Sequence, residues 1–407
     1  MSGVAAEPAA PAPGAERAGS RAGDFLRRLA RGEFGSVRVL VGIAVIWTIF
    51  QLANDRFLTA INLSNLVLQL TAVATISIGV VLVLLLGEID LSVGAVSGLA
   101  AGVMAVLNVK HGWPAELAIL AGLATGAVIG LFNGLMVTTF RIPSFVVTLA
   151  GLLAWQGALL AVLGETGTVN LPDNLITDLT TTFFDPALGW TLAAVVIAAY
   201  AAGVVLGRRR RVRAGLEAAP FVTSVARVAL VAAAVVAAVA ILNEDRGVPL
   251  AALIMITLMA VFSFVTERTR FGRHIFAVGG NAEAARRAGI RITRIRVLVF
   301  MLASTLAAAG GILAASRLLA VNQSSGASDL LLLAIAGPVI AGTSLFGGRG
   351  FVWSALLGAL VIQSISNGMD LLALSSDVKF MVTGAVLLLA VTIDAATRLR
   401  REVGAEA

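Results

Sequence analysis

The chain has 407 residues, 58% of them apolar and 13% charged, with a mean hydropathy of +0.96 and a formal net charge of +7. An ordinary soluble domain is roughly 45–50% apolar and about 25% charged. A water-soluble globule of this length has no use for so much apolar surface, so the composition excludes a soluble enzyme and a disordered chain alike. It predicts an all-α, polytopic membrane protein, each crossing taking roughly 20 apolar residues. Long continuous apolar runs, without period-two alternation, speak against a transmembrane β-barrel. Cysteine is absent, which excludes disulfides, thiolate catalysis and thiolate-bound metals. The two histidines, His111 and His274, fall in different loops. No catalytic residue, metal site or cofactor is therefore expected. Lysine occurs only at Lys110 and Lys379, and the arginines that make up the other basic residues read as cytoplasmic loops. Nucleic acid is not an expected partner, because there is no basic soluble domain to bind it.

In chain order, residues 1–36 are rich in Ala, Pro, Gly and Arg and have too little to bury, which predicts a disordered tail. The first apolar run begins near Val39, too far along for a secretory signal. Twelve apolar spans follow: Val39–Leu52, Leu66–Leu86, Leu91–Val109, Ala118–Phe140, Phe145–Leu163, Trp190–Leu206, Phe221–Leu242, Val248–Val265, Val297–Ala315, Leu330–Phe346, Phe351–Ser366 and Phe380–Ala396. Two pairs are separated only by Gly87-Glu88-Ile89-Asp90 and by Gly347-Gly348-Arg349-Gly350. Each pair also reads as one broken or re-entrant helix lining a cavity, so the prediction is about 10–12 helices, short or broken around 87–94 and 342–350. The transmembrane domain is placed at 37–398 and a second tail at 399–407.

Positive charge marks alternate loops when helix parity is right. Arg17, Arg21, Arg27, Arg28 and Arg31 put the N-terminus inside. The stretch Gly164–Gly189 has Glu165, Asp173, Asp178 and Asp185 and neither Lys nor Arg, so it belongs outside. Arg208 to Arg211 with Arg213, then the eight arginines of Thr266–Arg296, and finally Arg398, Arg400 and Arg401, mark inside segments. Twelve crossings reconcile these assignments and place both termini in the cytoplasm, with Lys110 the one exception.

Three segments carry chemistry. In Gly87–Gly94, Glu88 and Asp90 sit between two spans, two residues apart and so on different sides of any helix. Asp90 reads as a cap of the next helix, and the segment with Ser92 reads equally as part of a translocation path or gate. In the loop 266–296, Asn281 suits an N-cap, Glu283 a first turn and Gly289 a C-terminal cap, predicting a short cytoplasmic helix that docks a partner. In Phe132–Gly151, Pro143 suits the start of a span, while Asn133, Phe145, Thr148, Trp155 and Gln156 put polar and aromatic groups within apolar runs. Such groups either glue helices together or guide a hydrated sugar. Gln69, Gln363 and Asn367 share that ambiguity, and Arg227 and Asp394 read as packing or snorkelling groups. The phosphate-binding Gly-Lys-Ser/Thr is absent, so any ATP is hydrolysed by another chain. Glu88, Asp90 and Asp394 are few carboxylates for a proton relay.

The segments Gly87–Gly94, Arg141–Gly151, Phe271–Ile290, Ala341–Gly350 and Gly384–Asp394, in that order, resemble the permease subunits of bacterial ABC importers for monosaccharides, the ribose and xylose permeases above all. Glu283-Ala284-Ala285 with Gly289 is similar to that family's ATPase-docking loop. The resemblance implies coupling residues at Phe271, Gly272, Asn281, Glu283, Ala284, Ala285, Arg286 and Gly289. It further implies an ABC ATPase, an extracytoplasmic sugar-binding protein, a second permease copy and membrane lipid as partners. The extra span pair around Trp190–Leu242 is similar to the xylose type, and implies D-xylose or a related pentose or hexose as substrate. The family pattern has Gly where Glu88 stands. The alternatives are an ion-coupled carrier acting without an ATPase, and a membrane scaffold.

Overall fold

In a computed structural model the chain is described over residues 35–216, 220–386, 388 and 392, without the side chains of 35–38, 328 and 329. The tails 1–34 and 399–407 and Asp394 lie outside the described residues. The helices α1 (Gly35–Ala53), α2 (Ala60–Leu85), α3 (Val93–Val109), α4 (Ala115–Thr139) and α5 (Ser144–Leu163) come first. Strand β1 (Thr168–Asn170), helix α6 (Leu175–Thr181) and strand β2 (Phe183–Phe184) lead to the hairpin of α7 (Pro186–Arg213) and α8 (Phe221–Asp245). Then come β3 (Val248–Pro249), α9 (Leu250–Arg268), α10 (Arg270–Gly280), α11 (Ala282–Arg287), α12 (Ile292–Leu318), β4 (Ala320–Asn322), α13 (Ser328–Ile340) and α14 (Ser354–Leu371). Residues 376–386 are helical again.

The all-α polytopic architecture is as the apolar runs predict. Seven helices, α2, α4, α5, α7, α8, α9 and α12, are long and apolar enough to cross a membrane, and α1, α3 and α13 hold shorter apolar stretches. Eleven predicted spans coincide with helices, and the twelfth begins within 376–386. Two boundaries move for local reasons. Thr59 accepts the Asn62 N–H, so α2 starts at Ala60, not at Leu66. Gly342, Gly347, Gly348 and Gly350 all have positive φ, so α13 ends at Ile340 and 341–353 is a loop. Residues 35–36, read from the sequence as tail, belong to α1.

Close packing rests on small residues. Gly122, Gly126, Gly130 and Gly134 recur every fourth residue on α4 and form one ridge. A Cβ on Gly122 would lie 2.9 Å from the Ala100 carbonyl oxygen, and one on Gly134 would lie 2.8 Å from the Val297 Cα. Gly126 and Gly130 face Ser304 and Phe300 on α12 in the same way. Helices in a membrane gain little from apolar contact alone, since lipid tails are as apolar as leucine, so backbone approach across small residues supplies the packing. α2 is buried on nearly all sides and α12 over most of its length, whereas the α7–α8 hairpin turns Val195, Val205, Val222 and Leu230 outward.

The connections gather at two ends. At one end β1 pairs antiparallel with β4, and β2 with β3, and Asn54 donates to the Leu371 carbonyl. At the other end the breaks 86–92 and 341–353 meet residue 144 and the α10–α12 connection. The arginine-rich connection 266–296 thus lies at this end, and the acidic stretch Gly164–Gly189 lies at the opposite one. That stretch is not a plain loop: Asn174 and Thr177 form a capping box that starts α6.

Candidate functional site: a glycine crossing and a polar cavity

The segment after α9 is built from caps. Thr269 Oγ1 accepts the Gly272 N–H at 3.2 Å and starts α10. Asn281 ends α10 and starts α11, its Oδ1 accepting the Ala284 N–H at 2.9 Å. Glu283 stands in the first turn of α11, where a carboxylate suits the helix dipole, and pairs with Arg286 and Arg287, each at 3.4 Å. Gly289 has φ +82°; its N–H donates to the Arg286 carbonyl and that of Ile290 to the Ala285 carbonyl, the two bonds of a Schellman cap. Ala285 is buried, while Glu283, Ala284, Arg286 and Gly289 are exposed. Phe271 and Gly272 sit on α10, a helix within the segment expected as loop, and Thr269 is the sequence signal for its start. Gly272 is buried against the Val265 and Thr266 carbonyls.

The end of α10 meets both broken segments backbone to backbone. Gly279 touches the Leu85 carbonyl, to which the Gly348 N–H donates at 2.9 Å. A Cβ on Gly347 would lie 2.6 Å from the Gly279 oxygen and 2.8 Å from the Gly87 nitrogen. Gly87 (φ +74°) and Gly347 (φ +83°) also hold conformations that side chains disfavour, so this crossing demands glycine twice over. Glu88 accepts from Arg296, at the start of α12, at 2.9 Å.

From this junction a buried polar string runs inward. The Ile89 N–H donates to Ser144 Oγ at 3.2 Å and the Leu91 N–H to Thr148 Oγ1 at 3.0 Å. Asp90 is 4% exposed, and its Oδ1 accepts both the N–H (2.8 Å) and the hydroxyl (2.6 Å) of Ser92. Asn133 Nδ2 donates to Ser92 Oγ at 3.2 Å. Asp90 Oδ2 and Asn133 Oδ1 have no partner among the described residues. Asp90 thus holds the residue before α3; its bond to Ser92 N–H falls one residue short of the helix, which starts at Val93. Asp90, Ser92, Asn133 and Thr148 come together. Glu88 turns away to Arg296, and Phe145 is 51% exposed on another face of α5. Gln156 and Arg227 are exposed, and Trp155 packs edge-on against Phe132 at 6.0 Å.

Asn367 lies at the opposite end. It lines a cavity of about 590 Å³, with Asn62, Asn65 and Gln69 of α2, Thr180 and Thr181 of α6, Phe183, Arg246, Arg317 and Asp370. Asn62 and Asn367 exchange amide hydrogen bonds in both directions, at 2.8 and 3.1 Å. Arg246 donates to Asp245 and to Asn65 and covers the Phe183 ring at 4.3 Å. Asp370 pairs with Lys379. Among the described residues no group of His, Asp or Glu could hold a metal.

The family described as "Branched-chain amino acid transport system / permease component" matches residues 62–391. The chain belongs to this permease family. It is similar to the xylose transport system permease protein XylH of Escherichia coli (strain K12), 38% identical over 363 residues, covering 89% of this chain and 92% of that protein. XylH of Haemophilus influenzae is 36% identical over 361 residues, covering 88% and 96%. The ribose import permease protein RbsC of Bacillus subtilis (strain 168) is 31% identical over 354 residues, covering 87% and 91%. No solved structure gives a significant match.

The permease is a multi-pass inner-membrane protein and a transport component, not an enzyme. At its junction α10 touches the backbone of both breaks. Its cavity at the other end is lined by amides, threonines and the charged groups Arg246, Arg317 and Asp370. Sequence reading missed Asn62, Asn65, Thr180 and Arg246, which come from distant segments. The recurrence of Asn62 and Gln69 seven residues apart on one helix face was the available signal.

Proposed function

We propose that this permease is the membrane-spanning subunit of an ATP-binding cassette importer that carries a monosaccharide, D-xylose or a related pentose, into the cytoplasm. The observation that carries the reading is the α10–α11 unit: capped at both ends, arginine-rich and joined by backbone contact to both broken segments. An ATPase docking there would move the breaks as it closes. A sugar-binding protein would deliver at the cavity end, and a second copy of the permease would complete the transporter. By the arginine distribution the α10–α11 end and both termini face the cytoplasm, and the outward apolar side chains of α7 and α8 meet lipid.

Support for a sugar comes from two directions. The xylose permeases are more similar to this chain than the ribose permeases, at 38% against 31% identity. A zwitterionic amino acid would need a free anion as well as a cation; Arg317 leaves a cation in the cavity wall, but the carboxylate there, Asp370, already pairs with Lys379. An ion-coupled carrier would need several titratable groups within the membrane, whereas Glu88 is paired with Arg296 and leaves Asp90 as the buried carboxylate of this segment. The test is uptake of labelled xylose by proteoliposomes holding the permease, its ATPase and its binding protein. Uptake that needs ATP and no ion gradient is the expected result, with leucine not carried. Uptake by the permease alone on a sodium or proton gradient would contradict it.

A further inference from the structure

The importer reading leaves open where sugar first meets the permease, and the outer cavity answers in its chemistry. On α2, Asn62 lies near the helix start and Gln69 two turns deeper on the same face. On α14, which runs the other way, Asn367 lies near the end and Gln363 one turn deeper. Two amide-bearing stripes thus lead inward from the mouth, bridged at the top by the Asn62–Asn367 pair.

Two of these amides are incomplete. The Oε1 atoms of Gln69, in the cavity wall, and of Gln363, buried below it, have no hydrogen-bond partner among the described residues. A buried acceptor without a donor is destabilising, and a ligand hydroxyl would offset that cost. Arg246 is held by Asp245 and Asn65, and Asp370 by Lys379, while Arg317 lines the cavity with no ion pair among the described residues, a donor open to a ligand hydroxyl. The cavity volume of about 590 Å³ lies within the roughly 300–1,000 Å³ usual for small-molecule sites.

Resting on the importer reading, we propose that this cavity is the permease's own binding site for the sugar: a neutral polyol donates hydroxyls to Gln69 Oε1 and exchanges bonds with the Asn62–Asn367 pair, which parts to pass it towards Gln363. The amide pair suits that task. Exchanging its two internal bonds for bonds to a polyol leaves the number of hydrogen bonds unchanged.

Thr181 gives a clean test. It lines the cavity, but its hydroxyl is engaged by the Thr177 carbonyl of its own helix, so it is not one of the binding groups. The permease has no cysteine, so Thr181→Cys introduces its single thiol. The full complex is reconstituted with a cysteine-free binding protein and treated from outside with a bulky, membrane-impermeant thiol reagent. Labelling is expected to lower sugar uptake at least tenfold while ATP hydrolysis stimulated by the loaded binding protein stays within twofold. Uptake within twofold of the unlabelled complex would overturn the assignment. Loss of uptake and stimulation together would overturn it too, by making the cavity a docking surface. Absence of ATP-driven uptake in the untreated wild-type complex would instead overturn the importer reading, and the assignment with it. Gln69→Leu, which leaves no acceptor, is expected to lower uptake at least fivefold at matched membrane abundance; unchanged uptake would remove Gln69 from the site.

Discussion

Asp90 holds Ser92 through one carboxylate oxygen that accepts two donors, a task asparagine also performs. Asp90→Asn is therefore expected to keep most of the transport activity, and Asp90→Ala to lose about 0.5–2 kcal/mol of stability with most of the uptake. Sugar uptake and thermal unfolding, compared at matched membrane abundance, check this; a stable but inactive Asn variant would assign the work to the charge. Glu88 and Arg296 form an ion pair beside it, with side chains 13% and 30% exposed. A double-mutant cycle of Glu88→Ala and Arg296→Ala on unfolding is expected to give a coupling of about 1 kcal/mol, the upper end for solvent-reached pairs. A coupling near zero would leave the pair without a structural role. The sequence showed that Glu88 and Asp90 diverge, because two residues cannot share a helix face. It did not show Arg296 as the partner, since that contact depends on how the α10–α12 connection folds back on the first break.

At the scale of elements, hydropathy made the helices legible and the packing much less so. The four glycines of α4 recur every fourth residue, a pattern open to view in the sequence, yet composition alone gives it no partner. The structure supplies α12 and the middle of α3. Gly130→Val is expected to destabilise the folded permease by about 1–3 kcal/mol, because the Phe300 carbonyl and Met301 Cα leave no room and backbones must separate. Gly203→Val on α7 is the control, since nothing lies within 4 Å of a Cβ there, and it is expected to be neutral. Equal unfolding midpoints for the two variants in detergent would contradict the close-packed ridge. The capped helix α11 was legible through Asn281, Glu283 and Gly289. The helix α10 was not, because its apolar face is short and its arginines read as a solvated loop. The outer cavity was beyond reach for a different reason: its walls come from α2, α6, α12 and α14, and no local pattern joins them.

At the scale of the whole molecule, the permease is two ends joined by helices that leave little internal slack. One end carries a polar cavity, the other a backbone crossing of Gly87, Gly279 and Gly347, and α2 with α14 runs between them. The contact of α10 with the broken segments is made by backbone and not by flexible side chains, and α2 and α14 run from those breaks to the amides at the far end. This arrangement has meaning only if α10 and α11 face the cytoplasm and hold the ATPase. The most direct test is Arg286→Cys, an exposed position on α11 and the only thiol in the permease, in cells that also make the ATPase and binding protein. The account predicts no labelling by an impermeant thiol reagent in intact cells, labelling once the membrane is opened, and a crosslink from this position to the ATPase. Labelling in intact cells, or a crosslink to the extracytoplasmic binding protein instead, would contradict it.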